Sequence, residues 1–103
     1  MNKETIGAFV FRNEGDGCLT SKYLEHTENT PYTESCKRTK GSNDVFEGVY
    51  TTSWLEIDKD ITTELSIKKM GDVYHLYWSD KSPLYEGRAM LFEGKLVGSY
   101  WNI

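Results

Sequence analysis

The sequence predicts an all-β fold: an antiparallel up-and-down barrel, or a strongly coiled sheet, of about eight strands. Three observations carry that expectation. From Phe46 to Trp101, short aromatic-rich segments follow one another with little more than turn residues between them. No stretch of ten or more residues keeps a 3.6-residue apolar period, so helix beyond a single turn is not expected. Glycines recur inside the strand segments, where they permit the sharp coiling that closure of a barrel requires.

Along the chain the expected strands are 5–12, 17–25, 34–40, 45–56, 63–69, 73–79, 84–92 and 95–102. The first alternates weakly over Ile6–Arg12 and ends in the turn sequence Asn13-Glu14-Gly15-Asp16-Gly17. Cys18–Glu25 reads as the second strand. His26–Thr33, with Pro31, is polar and is expected to be the longest loop, either flanking a site or simply connecting. The strand over 45–56 is long enough to bend and carries Phe46, Gly48, Tyr50 and Trp54 on one side. Asp58-Lys59-Asp60 then suits a turn; the acids around it lack the central glycine and spacing of an EF-hand loop.

The last four strands make the strongest case. Gly71-Asp72 suits a two-residue turn with glycine first, the type II′ requirement. Counting outward pairs Ile67 with Leu76 and Leu65 with Trp78. Leu65, Ile67, Tyr74, Leu76 and Trp78 then share one face; Glu64, Ser66, Lys68, His75 and Tyr77 share the other. Register and hydrophobic pattern agree, as they must where one face is buried. A turn centred on Glu93-Gly94 likewise pairs Leu91 with Leu96, Ala89 with Gly98 and Gly87 with Tyr100. Tyr85, Gly87, Ala89, Leu91, Leu96, Gly98 and Tyr100 form the expected inner face, with a ring opposite a glycine at Gly87 and Tyr100.

Composition narrows the function classes. At 103 residues the chain is expected to form one domain, 1–103. Its net charge of -4 argues against a nucleic-acid partner, which would need clustered Lys and Arg. No apolar run is long enough for a helical membrane span. The start, Met1-Asn2-Lys3-Glu4, shows no apolar signal core, so the expected location is cytoplasmic. Cys18 and Cys36 fit no zinc or thioredoxin spacing; two reduced thiols are expected, with a bridge as the alternative if their strands adjoin.

Gly7-Ala8-Phe9, Gly17-Cys18-Leu19-Thr20-Ser21-Lys22-Tyr23 and Leu96-Val97-Gly98-Ser99-Tyr100 together resemble, in layout, the calycin-type small barrels: lipocalins, fatty-acid-binding proteins and avidins. Phe9 stands where lipocalins usually carry the Trp of Gly-x-Trp. The resemblance implies up-and-down topology and a ligand held inside the barrel or at its mouth.

Candidate chemistry is sparse. His26 and His75 are the only histidines, and no Ser or Cys is placed beside either by spacing. Glu47, Glu56, Glu64 and Glu86 could meet at a barrel mouth as glycosidase-type carboxylates only in a generic sense. No catalytic residue, metal site or cofactor is therefore expected, and the enzyme question leans to no. The aromatic residues are the better lead. Tyr50, Trp54, Trp78, Tyr85 and Tyr100 fall on expected inner faces, where they either pack as core or line a site for a small, partly apolar ligand. A rival reading uses the outer face. There His75, Tyr77 and Trp101, with Met90, Phe92 and Val97, would form an apolar strip for a protein partner or a homo-oligomer.

Overall fold

The computed structural model describes residues 5–41, 44–56 and 59–103, the side chains of 55, 56 and 59 excepted. The fold is all-β. Eight strands run β1 Ile6–Gly15, β2 Cys18–Glu25, β3 Tyr32–Gly41, β4 Gly48–Glu56, β5 Lys59–Met70, β6 Val73–Asp80, β7 Ser82–Phe92 and β8 Lys95–Asn102. Each pairs antiparallel with its neighbours in sequence, and β8 pairs back onto β1, so the sheet closes as an up-and-down barrel.

The two C-terminal hairpins adopt the expected registers. Ile67 lies opposite Leu76 and Leu65 opposite Trp78 across the Gly71-Asp72 turn, where Gly71 takes φ +67°. Leu91 faces Leu96, Ala89 faces Gly98 and Gly87 faces Tyr100 across Glu93-Gly94, both of which have positive φ. These are the primed turns whose twist matches that of the strands they join.

Several boundaries differ from expectation. β1 runs on to Gly15 because a bulge between Asn13 and Gly15 absorbs part of the expected turn. β3 begins at Tyr32, since Tyr23–Tyr32 pairing extends the β2–β3 ladder into the segment expected to be loop. Phe46 precedes β4 rather than lying in it. β5 begins at Lys59, so Lys59 and Asp60 pair with Glu56 and Leu55 instead of forming a turn; Asp58 lies outside the described residues. Leu91 is half exposed, because the β7–β8 hairpin projects past the end of the core.

One end of the barrel is plugged by residues 44–47, ahead of β4. Phe46 is buried against Tyr74, ring centroids 6.3 Å apart. The Asp44 carboxylate accepts from the backbone N–H groups of Phe46 and Glu47, both at 3.0 Å, and from the Tyr74 hydroxyl at 3.1 Å. Burial alone would raise the Asp44 carboxyl, but these donors and Lys69 outweigh it and hold it low. From the other side the Arg38 guanidinium donates to the carbonyls of Asp44 and Val45 and to the Tyr50 hydroxyl.

Closure brings backbone into close contact at a few glycines. A Cβ on Gly98 would lie 2.8 Å from the Ala89 Cα and overlap the Arg88 carbonyl oxygen. One on Gly7 would overlap the Tyr100 ring, so Tyr100 covers Gly7 of β1. Gly87, the expected partner of that ring, is covered by Phe9 and Trp78 instead. Gly98→Ala should therefore destabilise the barrel by about 3 kcal/mol through overpacking. Gly71→Ala, with open space around it and only an unfavourable φ, should cost about 1 kcal/mol. Urea unfolding of the two variants tests the contrast; equal costs would mean that Gly98 is not held by close packing.

Candidate functional site

Inward-facing side chains change character along the barrel axis. Near the plug they are apolar: Phe11, Leu19, Leu65, Ile67, Leu76 and Leu96 are essentially inaccessible. Toward the opposite end they become aromatic and polar. Tyr100 on β8 is the hub of that end. Its ring lies 5.9 Å from Tyr85, 6.1 Å from Tyr23, 6.2 Å from Trp78 and 6.5 Å from Phe9. Tyr32 stands 5.9 Å beyond Tyr23. Tyr23, Trp54 and Tyr85 are half-buried, packed on the core from one side.

Beneath these rings lies a buried carboxyl. Glu34 is only 3% exposed. It sits on β3 between Ser21 of β2 and Trp54 of β4. The Trp78 indole Nε1 donates to its Oε2 at 2.8 Å, and the Thr52 hydroxyl donates to the same oxygen. The buried Cys36 thiol in turn donates to Thr52 at 3.2 Å. Among the described residues no Lys, Arg or His forms an ion pair with Glu34. Burial pushes its carboxyl above the ordinary value, and the hydroxyl, indole and thiol groups around it recover only part of that. Ser21 is fully buried beside it, and its hydroxyl is one of the groups that draw the carboxyl part of the way back.

A second carboxylate stands at the rim. Glu25 accepts from the Thr27 backbone N–H at 3.2 Å and lies 3.2 Å from the His26 ring. The Tyr100 phenol feels both acids: burial first, then Glu25, Tyr85 and Glu34, push it up to about 12. It stays a neutral donor throughout the physiological range.

Four of the five aromatic candidates, Trp54, Trp78, Tyr85 and Tyr100, belong to this end of the barrel. Tyr50 does not. It is fully buried in the plug, donating to the Phe46 carbonyl at 2.8 Å and accepting from Arg38, where its role is structural. On the outside, Tyr77, Glu86 and Trp101 form one cross-strand row, with Trp101 Nε1 donating to Glu86 at 2.9 Å. The next row holds His75, Arg88 and Ser99, and only beyond it come Met90 and Val97. Charged and polar groups thus divide the expected outer strip. Of the generic carboxylates, Glu64 and Glu86 face outward and Glu47 caps the Lys69 backbone near the plug; the Glu56 side chain lies outside the described residues.

Cys18 and Cys36 are both free. Cys36 pairs with Leu19, which puts Cys36 inside and Cys18 outside the same wall. Among the described residues no three His, Cys, Asp or Glu side chains gather as metal ligands, and no helix is long and apolar enough to cross a membrane.

Sequence reasoning missed Glu34, Ser21, Glu25 and Tyr23. The usable signal was slight: on a strand carrying Cys36 inward, Glu34 shares its parity. No family model matches the chain, and neither the curated proteins nor the solved structures contain a match.

Linkage gives Glu34 a pH signature. A carboxyl with a raised folded-state pKa binds its proton more tightly when folded, so its contribution is most favourable below the unfolded value of about 4.3. Stability is then lost as pH rises from there through the folded-state pKa. Glu34→Gln keeps an oxygen for Trp78 and Thr52 and removes the titration. The melting temperature of the variant relative to wild type should rise between about pH 4 and pH 8. A gap that stays constant with pH would show that Glu34 is not strained by burial.

Proposed function

We propose that this barrel is a non-enzymatic binding module that takes a small, partly apolar ligand at its aromatic end. The ligand would rest against Trp54, Tyr85 and Tyr100, with Trp78 and Glu34 beneath. One observation carries the reading: a carboxyl held by an indole N–H and a hydroxyl is buried under half-exposed rings, in a region where apolar filling would stabilise the barrel better. Burying such a group without an ionic partner costs several kcal/mol of solvation, and packing alone gives no reason to retain it. An eight-stranded barrel has an interior that side chains either fill or leave wide enough for one small ligand. Its apolar half is filled by side chains, and a ligand at the other end would lie at the mouth, against the half-buried rings. The same layout supports a calycin-type assignment for the chain.

A second reading keeps the outer face as an assembly surface. Met70 and Met90 are exposed and adjoin Val73 and Val97 on the outer wall, with Phe92 at the tip of the β7–β8 hairpin. Exposed apolar side chains grouped in this way favour contact with another protein surface or a second copy.

Native mass spectrometry of gently purified protein, repeated after denaturation, separates the two. The ligand reading expects added mass that is lost on unfolding and that Tyr85→Ala or Tyr100→Ala reduces by tenfold or more in occupancy. The assembly reading expects clean multiples of the chain mass that Met90→Lys disperses. A bare monomer that also fails to change its tryptophan fluorescence with any apolar ligand would sink the first proposal.

A further inference from the structure

We infer that the ligand of the aromatic end is an organic cation, an ammonium or guanidinium group carrying an apolar body, with Glu34 as its inner counter-charge. The inference rests on the binding reading above and deepens it by assigning the ligand's charge.

The surroundings of Glu34 are one-sided. Its partners are an indole N–H and neutral hydroxyl and thiol groups, and no described basic side chain balances it. A neutral or anionic ligand entering here would leave the buried carboxyl as costly as before, or make it worse. A cation would relieve that cost, because an opposite charge nearby favours the ionised carboxylate. Glu25 at the rim adds a second negative group on the same approach, near enough for both acids to act on the Tyr100 phenol.

The walls suit the same ligand. Tyr100 meets Tyr85 edge-on, at an interplanar angle of 85°, and Tyr23 at 83°. These rings pack edge to face against one another, so an alkylated ammonium would meet the half-buried Tyr23 and Tyr85 from their open side, where the negative face of a ring attracts it. Ser21, fully buried on the strand next to Glu34, adds only a neutral hydroxyl to these surroundings.

Three probes of nearly the same shape test the charge directly: choline, its neutral carbon analogue 3,3-dimethyl-1-butanol, and the anion 3,3-dimethylbutanoate. Each is titrated against intact wild-type protein by tryptophan fluorescence, up to the limit of solubility. Choline should bind at least about tenfold more tightly than the neutral analogue, as desolvated cation–π contact alone would give. Glu34→Gln, checked for folding by circular dichroism, should erase most of the ratio between the two affinities. Equal binding of choline and the neutral probe would overturn the cation assignment and leave the binding module standing. Preference for the anion would overturn it as well. No saturable change with any of the three, together with no retained mass in the native spectrum, would overturn both. The wild-type comparison decides the matter even if the variant fails to fold.

Discussion

Closure of the sheet through β1 and β8 is the constraint on which the rest of this structure depends. With eight strands the enclosed space is narrow, and each inward side chain has to fit against those opposite it. The glycines follow from that geometry. Tyr100 can lie flat across β1 only because position 7 has no side chain, and β7 can approach β8 closely only because position 98 has none. That placement makes Tyr100 the hub around which Tyr23, Tyr85, Trp78 and Phe9 are arranged. The same closure explains the plug. An open end over an apolar core would admit water, and Phe46, anchored by Asp44 and Arg38, covers it.

The two ends use polar groups in opposite ways. At the plug the polar groups hold the chain: Asp44 gathers backbone N–H groups, Tyr74 and Lys69, while the Arg38 guanidinium donates to carbonyls through one of its nitrogens. Remove any of these and a backbone segment loses its anchor. Around Glu34 the arrangement anchors side chains to one another and no loop. Trp78, Thr52 and Cys36 all belong to strands whose ladders already position them. The stabilising return is therefore small against the cost of burying a carboxyl, and that asymmetry separates a structural polar cluster from one with another use.

Legibility in the sequence tracked how sharply each strand distinguishes its two faces. β5 to β8 were readable because buried Leu65, Ile67, Leu76 and Leu96 alternate with more exposed residues and the Gly71-Asp72 and Glu93-Gly94 turns fix the register, so register and pattern agree. β3 was not. Its inward residues are Glu34, Cys36 and Arg38, and its outward ones are Thr33, Ser35 and Lys37, so polarity is nearly the same on both sides. A period-2 test has nothing to detect there, and only the ladders to β2 and β4 establish which face is inside. Tyr50 shows the complementary limit. Parity placed it inward correctly, but parity carries no information on depth along the axis, which the Arg38 and Phe46 contacts decide.

Depth is also what gives Glu34 its meaning. On the rim, a carboxylate costs little and says little: Glu25, near His26 and Thr27, would be unremarked on any surface. One residue layer inside Tyr32, the same group is nearly inaccessible, and its ionisation depends on what lies beside it. On the proposed reading, ligand charge and carboxyl ionisation would be linked in both directions. A cation at the rings favours the carboxylate, and the carboxylate favours the cation by the same free energy. At pH values below the folded-state pKa a binding cation must first displace the proton, so its apparent affinity falls as pH falls. A neutral ligand at the same rings would show no such dependence through Glu34. On the proposed reading, the burial that disfavours the carboxylate would make this end responsive to the charge of a bound ligand.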